Sequence, residues 1–118
     1  MKRLTFRWAD RIHLRRDFRA VLKNGKRTVT PQLLVWRLPR PVEAFQDDRP
    51  RLGLVISRRY GNAVKRNRIK RFIRETFRTH KHDFPRGVDL IVQPKTPGRP
   101  STYQEVEAEL LRACGVIE

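Results

Sequence analysis

Apolar side chains recur along this chain at two different periods, and the switches between them mark out its elements. Over 62–80, Ile69, Phe72, Ile73, Thr76 and Phe77 fall at i, i+3, i+4, i+7 and i+8, the spacing of one helix face. At about 100° per residue, Asn67, Lys70, Arg71, Arg74 and Arg78 occupy the opposite side. Gly61 precedes this two-faced helix, and Asn62 suits the N-cap, where a short amide oxygen accepts from a first-turn N–H. A shorter helix over 16–24 places Phe18, Val21 and Leu22 on one side and the basic Arg16, Arg19 and Lys23 elsewhere. Gly25 follows it, a residue that lets the chain turn left-handed.

The period then shortens to two. Residues 32–38 and 51–57 read as strands by length and by β-branched or aromatic content, and 28–30 adds a short strand before Pro31. In 51–57, Leu52, Leu54 and Ile56 share a core face, while Gly53, Val55 and Ser57 form a small, shallow one. In 32–38 the faces are Leu33/Val35/Arg37 and Leu34/Trp36/Leu38, and periodicity leaves open which is buried. Pro39, Pro41, Asp47, Asp48 and Pro50 make 39–50 a loop. Residues 88–93 form a further short apolar strand. Ser101 with Gln104 is spaced as a capping box, opening a last helix with Val106, Leu110 and Leu111 inward, Glu105, Glu107 and Glu109 outward, and Gly115 at its end.

Helix, two or three strands, helix, strand, helix is the order of an α+β or α/β sandwich. The basic helix joins two strands, so those strands are parallel neighbours, with a right-handed crossover by default. No internal repeat or low-complexity tract appears.

Composition narrows the function. The 118 residues carry 28 Lys+Arg against 12 Asp+Glu, a formal net charge of +16, with 38% hydrophobic residues. That suffices for one modest core and a single domain. The excess is concentrated: +8 over residues 1–27 and +10 over 51–81, with little net charge elsewhere. Two basic blocks on one surface attract a polyanion. Nucleic acid leads, and an anionic membrane surface is the runner-up. Arg outnumbers Lys 21 to 7, which suits bidentate phosphate contacts. The longest apolar run, Leu33 to Trp36, is far too short for a membrane span or an export signal, so a cytoplasmic location is expected.

Catalytic chemistry is poorly represented. Glu75 alone interrupts the basic block, and salt bridges to Arg71 and Arg78 at helical spacing account for it. His80 and His82 lie about 200° apart on a helix and have no third ligand nearby, so no metal site is expected. Cys114 is the only cysteine and reads as a small apolar residue near a helix end. Trp36 and Phe18 can serve either as core residues or as stacking platforms for unpaired bases.

The run from Arg58 to Glu75, with Arg66-Asn67-Arg68 at its centre, closely resembles the signature of the bacterial ribonuclease P protein component. Arg11-Ile12, Arg16-Asp17-Phe18 and Gly25 are similar to that family's opening, Leu52-Gly53-Leu54 with Ser57 to the strand before the signature, and 101–105 to its last helix. The resemblance implies an α/β (α+β) two-layer sandwich in the order α-β-β-β-α-β-α, ribosomal-protein-like, with a left-handed β-α-β crossover carrying the basic helix. It implies one RNA-binding domain over 1–118, with a basic arm at 1–15, the loop at 39–50 and the signature helix at 62–80.

In function it implies the non-catalytic subunit of a ribonucleoprotein that removes the 5′ leader of precursor tRNA. The RNA subunit is the catalyst and uses Mg²⁺. Lys65, Arg66, Asn67, Arg68, Lys70, Arg71 and Arg74 would bind the catalytic RNA. Phe18, Leu22, Leu34, Trp36 and Val55, with Arg66, Asn67, Arg71 and Arg74, would bind the leader. Leu34 and Trp36 would then share the shallow face, with Gly53 leaving room for an extended RNA strand. Many members carry a second aromatic at Leu22 and a smaller ring, commonly Tyr, at Trp36. No protein partner, membrane or protein-held metal is implied. A ribosomal or general RNA-binding protein without a processing role is the alternative, followed by a protein-only nuclease and a duplex-DNA-binding helix.

Overall fold

The computed structural model describes residues 10–41 and 49–115. Residues 1–9 of the basic arm and 42–48 of the loop lie outside the described residues. The elements are α1 (Arg15–Asn24), β1 (Lys26–Val29), β2 (Leu33–Pro39), β3 (Arg51–Leu54), α2 (Ala63–Thr79), β4 (Val88–Pro94) and α3 (Tyr103–Ala113), with a 3-10 turn at Arg58–Tyr60. The sheet order is β1-β2-β4-β3. β1 and β2 are antiparallel, as are β2 and β4, while β3 and β4 are the parallel neighbours that α2 connects.

Alternation along the strands sorts the sheet into two faces. Leu33, Val35, Leu52, Leu90 and Val92 meet Ile69, Ile73 and Phe77 of α2 and Val106 and Leu110 of α3 in the main core. Phe77 stacks on Phe84 with ring centroids 5.2 Å apart. Val21 of α1 and Ile91 of β4 are fully buried outside that core, because α1 covers part of the opposite face. The sheet with α2 and α3 thus forms the sandwich, and α1 stands alone on the other side.

Several local expectations change. Gly25 has φ −70° and does not turn left-handed. It is needed for space, since a Cβ there would meet Val21 O at 2.4 Å and Arg37 O at 3.0 Å. The short strand lies at Lys26–Val29, not 28–30, because Thr30 turns the chain: its Oγ1 accepts from Leu33 N at 2.9 Å. β3 ends at Leu54, three residues early. Val55 N still donates to Val92 O, but Ser57 then accepts from Arg59 N and opens the 3-10 turn. The cap of α3 is Thr102, not Ser101: its Oγ1 accepts from Glu105 N at 3.2 Å and donates to the Glu105 carboxylate. Thr-x-x-Glu one residue on is the box that forms. Glu109 points inward, where Oε1 accepts from Gln32 N at 2.9 Å and satisfies the entry to β2. At α2, Asn62 Oδ1 accepts from Lys65 N at 2.9 Å, the expected cap.

Candidate RNA-binding site

The groove begins with the register of the strands. Trp36 and Gly53 both pair with Ile91, so the three form one row across the sheet. In the next row Leu34 pairs with Gln93. Leu33 and Val35 are fully buried, which places Leu34 and Trp36 on the face beneath α1, as the shallow-face reading requires. Phe18, Leu34, Trp36 and Val55 are all half-buried, and Leu22, one turn along α1 from Phe18, is 39% exposed. These five side chains make an apolar strip that the protein itself leaves open to solvent.

Gly53 plays a different part from the one expected. A Cβ there would lie 2.7 Å from Phe18 Cε2 and 3.2 Å from Ile91 Cγ1. The space left by the missing side chain is filled by the Phe18 ring and does not admit RNA.

Charges under α1 are neutralised internally. Asp89 is buried and receives Arg51 Nε and Nη2 at 2.7 Å each, with Arg40 Nη1 at 2.8 Å. Arg51 also lies 3.5 Å from Asp17 of α1. The hydrogen bond to Asp89 holds the Arg51 guanidinium above its ordinary range, against the opposing effect of burial. This ion cluster has no periodic signature in the sequence, since its contacting pairs, Asp17–Arg51, Arg51–Asp89 and Arg40–Asp89, are 34, 38 and 49 residues apart.

The cations of α2 are disposed otherwise. Lys65, Asn67, Arg68 and Arg71 are exposed, and Arg66, Lys70 and Arg74 are half-buried. Among the described residues no carboxylate forms an ion pair with Lys65, Arg66, Arg68, Lys70, Arg71 or Arg74. Arg66 Nη1 donates to Gly61 O at 3.1 Å, and Arg71 lies over the Phe72 ring at 5.8 Å. Glu75 pairs with Arg78 at 2.6 Å; the expected second pair, with Arg71, gives way to that ring contact. Arg74 is held below its ordinary range by burial and then by Arg11. Arg11 reaches it because 11–12 runs alongside β3, with Ile12 N donating to Leu52 O at 3.1 Å. Charge counting alone placed Arg11 in the other block.

Among the described residues no group of three or more His, Cys, Asp or Glu side chains is placed to hold a metal ion. Asp89 is engaged by Arg40 and Arg51, Asp10 by Lys81 and Glu75 by Arg78. His80 contacts Glu107 through Nε2 at 2.9 Å and Asp83 through Nδ1 at 3.4 Å. The described residues do not by themselves make a site for Mg²⁺. Cys114 is buried, and burial pushes its thiol up to about 12. Among the described residues no helix is long and apolar enough to cross a membrane.

A sandwich that sets an open apolar strip beside a helix on which Arg66, Arg68, Arg71 and Arg74 have no carboxylate partner among the described residues presents the surfaces of an RNA-binding protein. The ribonuclease P family profile matches residues 6–118. A ribonuclease P protein component from Syntrophus aciditrophicus is 38% identical over 110 residues, covering 93% of this chain and 88% of that protein. The fold is similar to the RNase P protein of Thermotoga maritima, with TM-score 0.76 and 33% identity over 92% of this chain and 97% of that one. It is equally similar to the Staphylococcus aureus RNase P protein, with TM-score 0.77 and 33% identity over 91% and 94%. The chain belongs to the ribonuclease P protein family. As such it is an RNA-binding, non-catalytic subunit that aids 5′ processing of precursor tRNA, and RNA is the catalyst.

Proposed function

We propose that the groove between α1 and the sheet takes the single-stranded 5′ leader of precursor tRNA, while the basic face of α2 binds the catalytic RNA subunit. The supporting observation is the half-exposed strip of Phe18, Leu34, Trp36 and Val55 beside a helix on which Lys65, Arg66, Arg68, Lys70, Arg71 and Arg74 form no carboxylate ion pair among the described residues. Aromatic and apolar side chains stack on bases without regard to sequence, and each neutralised phosphate releases counterions. Arg66, Asn67, Arg71 and Arg74 would contact the leader backbone where it leaves the groove.

Mature tRNA has no leader, so only the precursor gains from the groove. Cations at the junction of two RNAs offset their mutual repulsion, lowering the Mg²⁺ concentration that cleavage requires. In this reading the Mg²⁺ is held by RNA, and the complex works in the cytoplasm without a membrane or further protein partner.

Reconstitution with a bacterial ribonuclease P RNA and a precursor tRNA at low Mg²⁺ tests this. The protein should raise the rate of leader removal and tighten precursor binding more than mature tRNA binding. No gain in cleavage would overturn the assignment. Equal gains for precursor and mature tRNA would overturn the leader groove.

A further inference from the structure

Two contacts, one ionic and one steric, join adjacent residues of α1 to alternate residues of β3. Arg51 and Gly53 lie on one face of β3, paired with Asp89 and Ile91 of β4. Asp17 meets Arg51 at 3.5 Å, and the next residue, Phe18, lays its ring over Gly53. The Arg51 guanidinium is a fixed post, because Asp89 accepts from both its Nε and Nη2 and is itself held by Arg40.

α1 needs such a post. It has ten residues, of which Val21 alone is buried, and its N-cap, Leu14, makes no side-chain capping bond. The backbone bond from Ile12 to Leu52 holds the start of α1 and the close approach of Gly25 to Arg37 holds its end, so roll about its axis is resisted by the side chains between them. An ionic contact at 17 and a close steric contact at 18 resist that roll.

We propose that Asp17, Arg51 and Gly53 form a two-point clamp that sets the height of Phe18 above the sheet, and with it the clearance of the groove. They are positioning residues for leader binding and not RNA ligands. The inference rests on the leader reading above.

The clamp predicts a sign opposite to simple electrostatics. Asp17→Asn removes a negative charge beside a polyanion, which by charge alone tightens binding of every RNA. Through the clamp it loosens Phe18 and weakens the precursor alone, by roughly 5-fold or more, the lower end of what one base–aromatic stack contributes. Gly53→Ala, which drives a Cβ against the ring, should do the same.

The test uses holoenzyme reconstituted with wild-type protein, Asp17→Asn, Gly53→Ala, Phe18→Ala and the double variant Asp17→Asn/Phe18→Ala, all checked for folding by circular dichroism. Precursor affinity should fall in each single variant with mature tRNA affinity unchanged, and the double variant should match Phe18→Ala. Tighter binding of both RNAs by Asp17→Asn, or an unchanged precursor-to-mature ratio, would overturn the clamp. A second reading needs no RNA: the Phe18 ring current should displace the Gly53 α-proton resonances in the free protein, and Asp17→Asn should shrink that displacement. Unaltered resonances would overturn the clamp on their own. A wild-type holoenzyme that does not distinguish precursor from mature tRNA would count against the leader reading, with the resonances still deciding the clamp.

Discussion

Arg74 of α2 stands close enough to Arg11, beside β3, that the second cation adds to burial in disfavouring its charge. Burial first, and a like charge second, work against the Arg74 guanidinium in the free protein, and under the proposed function an RNA phosphate beside it would offset them. Such a trade of stability for binding is common at functional surfaces.

Arg74→Ala should therefore leave the thermal midpoint of the free protein unchanged or higher, while weakening binding to the RNA subunit. The slope of log affinity against log salt should fall by about one for the lost phosphate contact. Thermal unfolding and a salt titration of binding check the two halves.

Trp36 and Arg68 should separate the two surfaces. Trp36→Ala removes a stacking platform and should cost about 1–3 kcal/mol of precursor affinity, sparing mature tRNA and the salt slope. Arg68→Ala, exposed on α2, should weaken precursor and mature complexes alike and reduce the slope by about one. Paired binding measurements at several salt concentrations would show both.

The cap of α3 makes a sharper stability prediction. Thr102→Ala removes the bonds to Glu105 and should cost about 1 kcal/mol. Ser101→Ala, one residue outside the cap, should stay within about 0.5 kcal/mol of wild type. Urea unfolding of the two variants compares them directly.

Glu107 links stability to pH. Its carboxyl lies below the ordinary range, chiefly because His80 hydrogen-bonds to it, with Tyr103 adding a second bond. A depressed carboxylate contributes stability above its unfolded value, near 4.5, and loses that contribution as pH falls through the lower folded value. Glu107→Gln should thus cost under about 1 kcal/mol at pH 7, given the solvent screening of a partly exposed pair. Once the pH has fallen below the lowered folded value, the difference from wild type should vanish. Urea midpoints across that range would reveal it.

Much of the fold was legible because its signals are local. The α2 stripe of Ile69, Phe72, Ile73 and Phe77 and the Asn62 cap depend on spacing within one segment, and both appear as read. The capping of α3 was misplaced by one residue because Ser101 and Thr102 are both competent caps, and which of them closes depends on where the preceding turn delivers the chain. Glu109 looked solvent-facing by composition, yet an unpaired Gln32 N–H entering β2, 77 residues away, drew it inward.

The candidate site divides in the same way. Spacing along the chain is enough for the basic helix, its polar and apolar sides, the run around Arg66-Asn67-Arg68 and the two possible faces of β2. Tertiary structure alone decided which β2 face stayed open, since that depends on which side of the sheet α2 and α3 occupy. It also decided that Arg11 meets Arg74, that Phe18 claims the space over Gly53, and that Arg40 and Arg51 are bound to Asp89 while the arginines of α2 are not. Those outcomes are distances between residues remote in the chain, and a one-dimensional pattern carries the period of an element but not the partner its side chains will meet.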